Sequence, residues 1–163
     1  MKRLLSLDFF RGLTIAAMII VNDPGSWNYV YAPLRHAEWN GATPTDLVFP
    51  FFLFIVGVSI SLSLSKRKSG GFNIYSKIFK RSVIIFLLGI FLALFPKFDF
   101  ENLRVVGVLQ RIAIVYLICA LIYLNTSFKN QLKMGIGLLI IYWITMMLIP
   151  FNGNPAGTLE PGN

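Results

Sequence analysis

The sequence has 163 residues, 56% of them hydrophobic and only 13% charged, with one cysteine and one histidine. Soluble domains carry about a quarter charged residues, so this chain has too little charge to keep a folded surface in water and reads as an integral membrane protein. A single cysteine excludes an internal disulfide framework, and with only one histidine beside it no Cys/His metal cluster can be assembled, so no metal is expected.

A membrane helix needs roughly 20 mostly apolar residues to cross a hydrocarbon core of about 30 Å. Five stretches qualify, at about 4–22, 46–65, 82–95 (extended by Phe79 and its neighbours), 105–124 and 134–150. The predicted fold is all-α: a polytopic transmembrane helix bundle of about five spans over 1–150, followed by a polar tail at 151–163. Lys2 and Arg3 precede the first span, but Asp8 and Arg11 interrupt the apolar run and no small-residue cleavage site follows, so this is a retained helix and not a signal peptide. Thr43-Pro44-Thr45-Asp46 opens the second span with a hydroxyl at the cap, proline at the first helical position and a carboxylate three residues after the cap. Pro50 removes one backbone hydrogen bond within that helix. Phe95-Pro96 and Ile149-Pro150 end the third and fifth spans.

Fifteen Lys+Arg against seven Asp+Glu give a net charge of +8, and their placement argues against nucleic acid as the partner. Lys2, Arg3, Lys66, Arg67, Lys68, Lys77, Lys80, Arg81, Lys129 and Lys133 all fall on one side of a five-span topology, with no acidic residue among them. The positive-inside rule therefore sets the N-terminus in the cytoplasm, with the basic loops toward anionic lipid. Asn125-Thr126-Ser127 matches a glycosylation sequon, but falls on that same side and carries no functional weight.

Polar residues within spans are expensive, so each calls for a reason. Asp8 and Arg11 lie three apart on one helix face, as an ion pair that fixes packing or as a cation held toward an anionic ligand. Gln110 and Arg111 follow one and a half to two turns into the fourth span, Arg111 at a depth of about 10 Å, where a polar cavity is expected. The outer loop between the first two spans holds Asn22, Trp27, Tyr29, Tyr31, Arg35, His36, Trp39, Asn40 and Asp46. Its aromatics suit an interfacial belt or a sugar platform equally. His36 offers the best general base in the chain, although a lone histidine has no intrinsic claim to catalysis.

Several segments together resemble a known family: Ser6-Leu7-Asp8-Phe9-Phe10-Arg11-Gly12, Val21-Asn22, His36-Ala37-Glu38-Trp39-Asn40-Gly41, Thr45-Asp46-Leu47-Val48-Phe49-Pro50 and Gly107-Val108-Leu109-Gln110-Arg111. In order and spacing they are similar to the transmembrane heparan-α-glucosaminide N-acetyltransferases and their bacterial relatives. That resemblance implies an enzyme that moves acetyl from cytoplasmic acetyl-CoA to an amino sugar across the membrane, here in a bacterial inner membrane with the His36 loop extracytoplasmic. It implies a catalytic His36, as base or transient acetyl carrier, with Asn22 orienting the imidazole or donating to an oxyanion. Arg11 or Arg111 would meet the anionic parts of CoA, with Asp8 fixing a guanidinium. Gln110, Trp39, Asn40 and Asp46 complete the residues expected to bind substrate or CoA. Family members have about twice as many spans, so the expectation is an N-terminal part of a larger bundle. It would need further helices or another chain, be inactive alone, and leave homo-oligomerisation open. A transporter or channel subunit with a polar intramembrane path is the alternative from another class, and a purely structural assembly protein the third.

Overall fold

A computed structural model describes residues 4–38, 41–65, 72–95, 98, 105–150 and 156–157. Every regular element among them is helical: α1 (Leu5–Asn22), two single 3-10 turns (Trp27–Tyr29 and Ala32–Leu34), α2 (Pro44–Leu64), α3 (Phe72–Leu94), α4 (Val108–Asn125) and α5 (Phe128–Leu148). Helices α1, α2, α4 and α5 are long and apolar enough to cross a membrane. The expected basic loops at 66–71, residues Trp39 and Asn40, and most of the tail lie outside the described residues.

The chain forms two compact units, 1–124 and 125–163. In the first, the core sits where α2, α3 and α4 meet, with Ile60, Leu64, Ile78 and Ala120 buried and Val56, Ile74, Tyr116 and Leu117 packed against them. Ser82 Oγ of α3 donates to the Ala113 carbonyl of α4 at 2.9 Å. Such a bond satisfies a hydroxyl that hydrocarbon would otherwise leave unpaired. Helix α1 leans on α2 through an edge-to-face contact of Phe10 and Phe51, with ring centroids 5.6 Å apart. Outside this core Ile55 and Ile112 are also buried, and many other large apolar side chains of α1–α4 are exposed, as on lipid-facing surfaces. In the second unit, α5 is capped at Ser127 and buries none of its residues within the structure.

The third helix corrects the sequence reading. It starts at Phe72, ten residues before Ser82 and seven before the expected extension at Phe79, and Lys77, Lys80 and Arg81 lie inside it and not in a loop. Hydropathy alone stops at those charges, yet Lys and Arg are good helix formers. Ile78, Ser82 and Gly89, all buried, mark the helix-period stripe that the charges flank. Helix α3 does not meet the apolar criterion that the other four long helices satisfy. Helix α5 likewise begins six residues earlier than expected, its first turn made polar by Lys129, Asn130 and Gln131.

Candidate active site

The N-terminus of α2 is built as its sequence dictates. Thr43 is the cap and Pro44 the first helical residue, and Asp46 closes a capping box with Thr43. Gly41, at φ 111, takes a backbone conformation open to glycine as the chain turns into that cap. Asp46 Oδ2 accepts from the Thr43 amide at 2.9 Å, the Thr43 hydroxyl at 2.9 Å and the Ala37 amide at 3.2 Å. Its other oxygen, Oδ1, lies 2.6 Å from His36 Nδ1.

The loop that carries His36 is tied down on both flanks. Arg35 Nε donates to the Val30 carbonyl at 2.9 Å, and the buried Thr45 hydroxyl donates to the Pro33 carbonyl at 3.2 Å. An ionised carboxylate can only accept, so Asp46 fixes Nδ1 as the donor, and in the neutral imidazole this leaves the lone pair on Nε2. The imidazole is 70% exposed and its carboxylate partner 29%. An oriented, accessible Nε2 backed by a carboxylate is the arrangement of a general base or of an acyl-accepting nucleophile.

A second cluster lies farther along α2. Arg11 Nη1 approaches Asp8 Oδ1 at 3.4 Å, and its Nη2 donates to Ser59 Oγ of α2 at 2.9 Å. The two residues thus pair with each other, as their spacing suggests, and the guanidinium also bridges helices. Arg11 and Ser59 line a cavity of about 320 Å³ whose α2 wall runs from Phe52 to Leu64. Twelve steps of about 1.5 Å between its thirteen residues make that wall roughly 18 Å long. Arg81 of α3 and Tyr116 of α4 face the same cavity, with the Arg81 guanidinium carbon 5.3 Å from the Tyr116 ring centroid.

Sequence reasoning missed two features of this arrangement. It placed Asp46 among the residues that bind substrate or CoA and expected Asn22 to orient the imidazole or donate to an oxyanion; in the structure Asp46 holds the imidazole, and Asn22 is exposed at the end of α1. The signal was present, because a cap carboxylate ten residues after a loop histidine needs only a tight return to reach it. It also counted Arg81 among loop charges. Arg111, expected in a polar cavity, is exposed on α4, and Arg81 supplies the second cation of the cavity instead. Gln110 is 2% exposed, and its Nε2 has no hydrogen-bond partner among the described residues. Its amide is wedged against Gly89 and Gly107, where a Cβ would fall 2.7 and 2.6 Å from Oε1. No group of three or more His, Cys, Asp or Glu side chains that could hold a metal occurs among the described residues.

The family model described as heparan-alpha-glucosaminide N-acetyltransferase, catalytic, matches residues 3–155. The human heparan-alpha-glucosaminide N-acetyltransferase is 38% identical over 129 residues, which is 75% of this chain and 19% of that protein. The mouse protein of the same name is 35% identical over 128 residues, 74% of this chain and 19% of its own length. The chain therefore spans about a fifth of the length of these relatives. With the match covering nearly all of its residues, the chain belongs to the heparan-alpha-glucosaminide N-acetyltransferase family.

Proposed function

We propose that this chain carries the donor cavity and the histidine of a membrane-embedded acetyltransferase that moves acetyl from acetyl-CoA to the amine of an amino sugar. The observation that carries the reading is the placement of two unlike sites on one helix. Asp46, which holds His36, and Ser59, which holds Arg11, are thirteen residues apart on α2, roughly 20 Å along the axis. A donor bound by its anionic head near Arg11 reaches His36 only through a long, slender arm, and the cavity that holds Arg11 extends along α2 toward His36 as far as Phe52, six residues short of Asp46. Acetyl-CoA has that form: phosphates at one end, a thioester at the other, and a flexible chain between.

At the His36 end, Nε2 takes a proton as the sugar amine attacks the thioester carbonyl. The new C–N bond forms, the C–S bond breaks, and the departing CoA thiolate receives the proton. The alternative timing passes acetyl through Nε2 itself, with the acyl-imidazole then attacked by the amine. Asp46 serves both, because a neighbouring carboxylate stabilises the imidazolium that each route generates. Asn22, and by their sequence position next to His36 also Trp39 and Asn40, are assigned to the acceptor. The distribution of Lys and Arg supports an orientation with the Arg11 end cytoplasmic and the His36 end extracytoplasmic. The chain spans about a fifth of the length of its curated relatives, so the reading is tested in the complete protein.

The test is acetyl transfer by the complete membrane protein, in vesicles, from acetyl-CoA to a panel of amino sugars. His36→Ala is expected to lower turnover by about 10² or more, in a protein that still extracts and migrates as wild type. Undiminished transfer by that variant would sink the assignment. Radiolabelled acetyl retained on the protein after acetyl-CoA alone selects the covalent route, and its absence selects direct attack.

A further inference from the structure

Two guanidinium groups face the α2–α3–α4 cavity, and their chemistry differs. Arg11 is committed: Asp8 lies at 3.4 Å on one side and Ser59 accepts from it on the other. Its positive charge is therefore largely balanced within the protein. Arg81 has no Asp or Glu oxygen within 4.0 Å among the described residues. It is positioned instead by the face of Tyr116, at 5.3 Å, an attraction that orients the plane of the guanidinium and leaves its edge N–H donors unspent. Lys77 lies one turn before it on the same face of α3, and both are exposed. Like charges four apart on a helix are unfavourable by themselves, and an anion between them reverses that sign.

We propose that Arg81 is the specificity-determining residue that selects an acyl donor bearing phosphates over one carrying the same thioester arm without them. The inference rests on the acetyl-CoA reading above. Within it, Arg11 shapes the cavity wall, and Arg81 meets the phosphate oxygens with the bidentate, charge-assisted bonds that a pre-oriented guanidinium forms. Lys77, one turn before Arg81 on α3 and outside the cavity lining, adds positive charge beside it. The Tyr116 ring matters by holding the guanidinium where its edge remains available to the cavity.

The experiment measures equilibrium binding of radiolabelled CoA and of pantetheine to the complete protein in lipid nanodiscs, so that affinity is read without turnover. Wild type is expected to bind CoA more tightly than pantetheine. Arg81→Gln is expected to reduce CoA affinity about tenfold or more, the loss of one charge-assisted hydrogen bond, while pantetheine affinity stays unchanged. Arg81→Lys keeps the charge and loses the planar fork, so its CoA preference should fall between the two. A general folding defect weakens both ligands equally, and an equal loss would overturn the specificity role. A wild-type CoA preference retained in Arg81→Gln would overturn it too, with the donor reading left standing. Failure of the wild-type protein to bind CoA at all overturns the donor reading, and the role of Arg81 with it.

Discussion

The two ends of α2 solve opposite problems. At its N-terminus one carboxylate is saturated by four donors from His36, Ala37 and Thr43, and every bond serves to hold a single imidazole in one tautomer. Toward its C-terminus, Ser59 and Ser63 look into a cavity with two guanidiniums, one of them with donors still to spend. The first end is preorganised and nearly complete within the chain. In the proposed reading, the second receives the anionic head of the donor. Reaction chemistry rewards the first kind of site, because orientation secured in advance need not be supplied at the transition state. Binding of a charged head rewards the second, because an anion desolvated there regains its hydrogen bonds.

That contrast can be broken one residue at a time, in the complete protein. Asp46→Asn should have the largest effect, lowering kcat by about 10²–10⁴. An amide can present N–H to Nδ1, which forces the proton onto Nε2 and removes the free lone pair. Steady-state kinetics with acetyl-CoA would show it, and a near-normal kcat would mean that the pair does not set the tautomer. Ser59→Ala should act at the other end alone. With the partner of Arg11 Nη2 gone, KM for acetyl-CoA is expected to rise about three- to tenfold while kcat holds, the signature of lost ground-state binding. A fall in kcat there would merge the two ends into one site. Thr43→Ala should do least to the chemistry. It removes one of the four donors to Asp46 and the cap hydroxyl of α2, costing about 1 kcal/mol of stability by thermal unfolding in detergent, with only a few-fold change in kcat.

The first unit also shows how a membrane protein spends polar groups. Ser82 and Thr14 satisfy their hydroxyls on backbone carbonyls, at 2.9 and 2.7 Å, and so cost little. Gln110 does not: its Oε1 sits tight against two glycines and its Nε2 faces no acceptor among the described residues. A buried amide donor left unpaired costs about 1–3 kcal/mol, and the amide fits there at all because Gly89 and Gly107 have no Cβ to fall within 3 Å of Oε1.

Much of this was legible in the sequence because it depends on local rules. Low charge content and five apolar stretches specify membrane helices, and Thr43-Pro44-Thr45-Asp46 specifies where α2 begins, since capping is settled within four residues. The spacing of Asp8 and Arg11 gives their pairing, because three residues is just under one helical turn. The motifs around His36 and Arg111 point to the family. What the sequence could not decide depends on which helix faces meet. Whether a carboxylate at the cap of α2 holds His36 is fixed by the return of a loop that is pinned at Val30 and Pro33. Whether Arg81 or Arg111 joins Arg11 in the cavity is fixed by the rotation of α3 and α4 about their axes, set by Ile78 and Ala120 entering one core and by Ser82 bonding to Ala113. Hydropathy records how apolar a segment is, whereas tertiary packing decides which way its few polar side chains point, and in this protein the candidate chemistry belongs to those few.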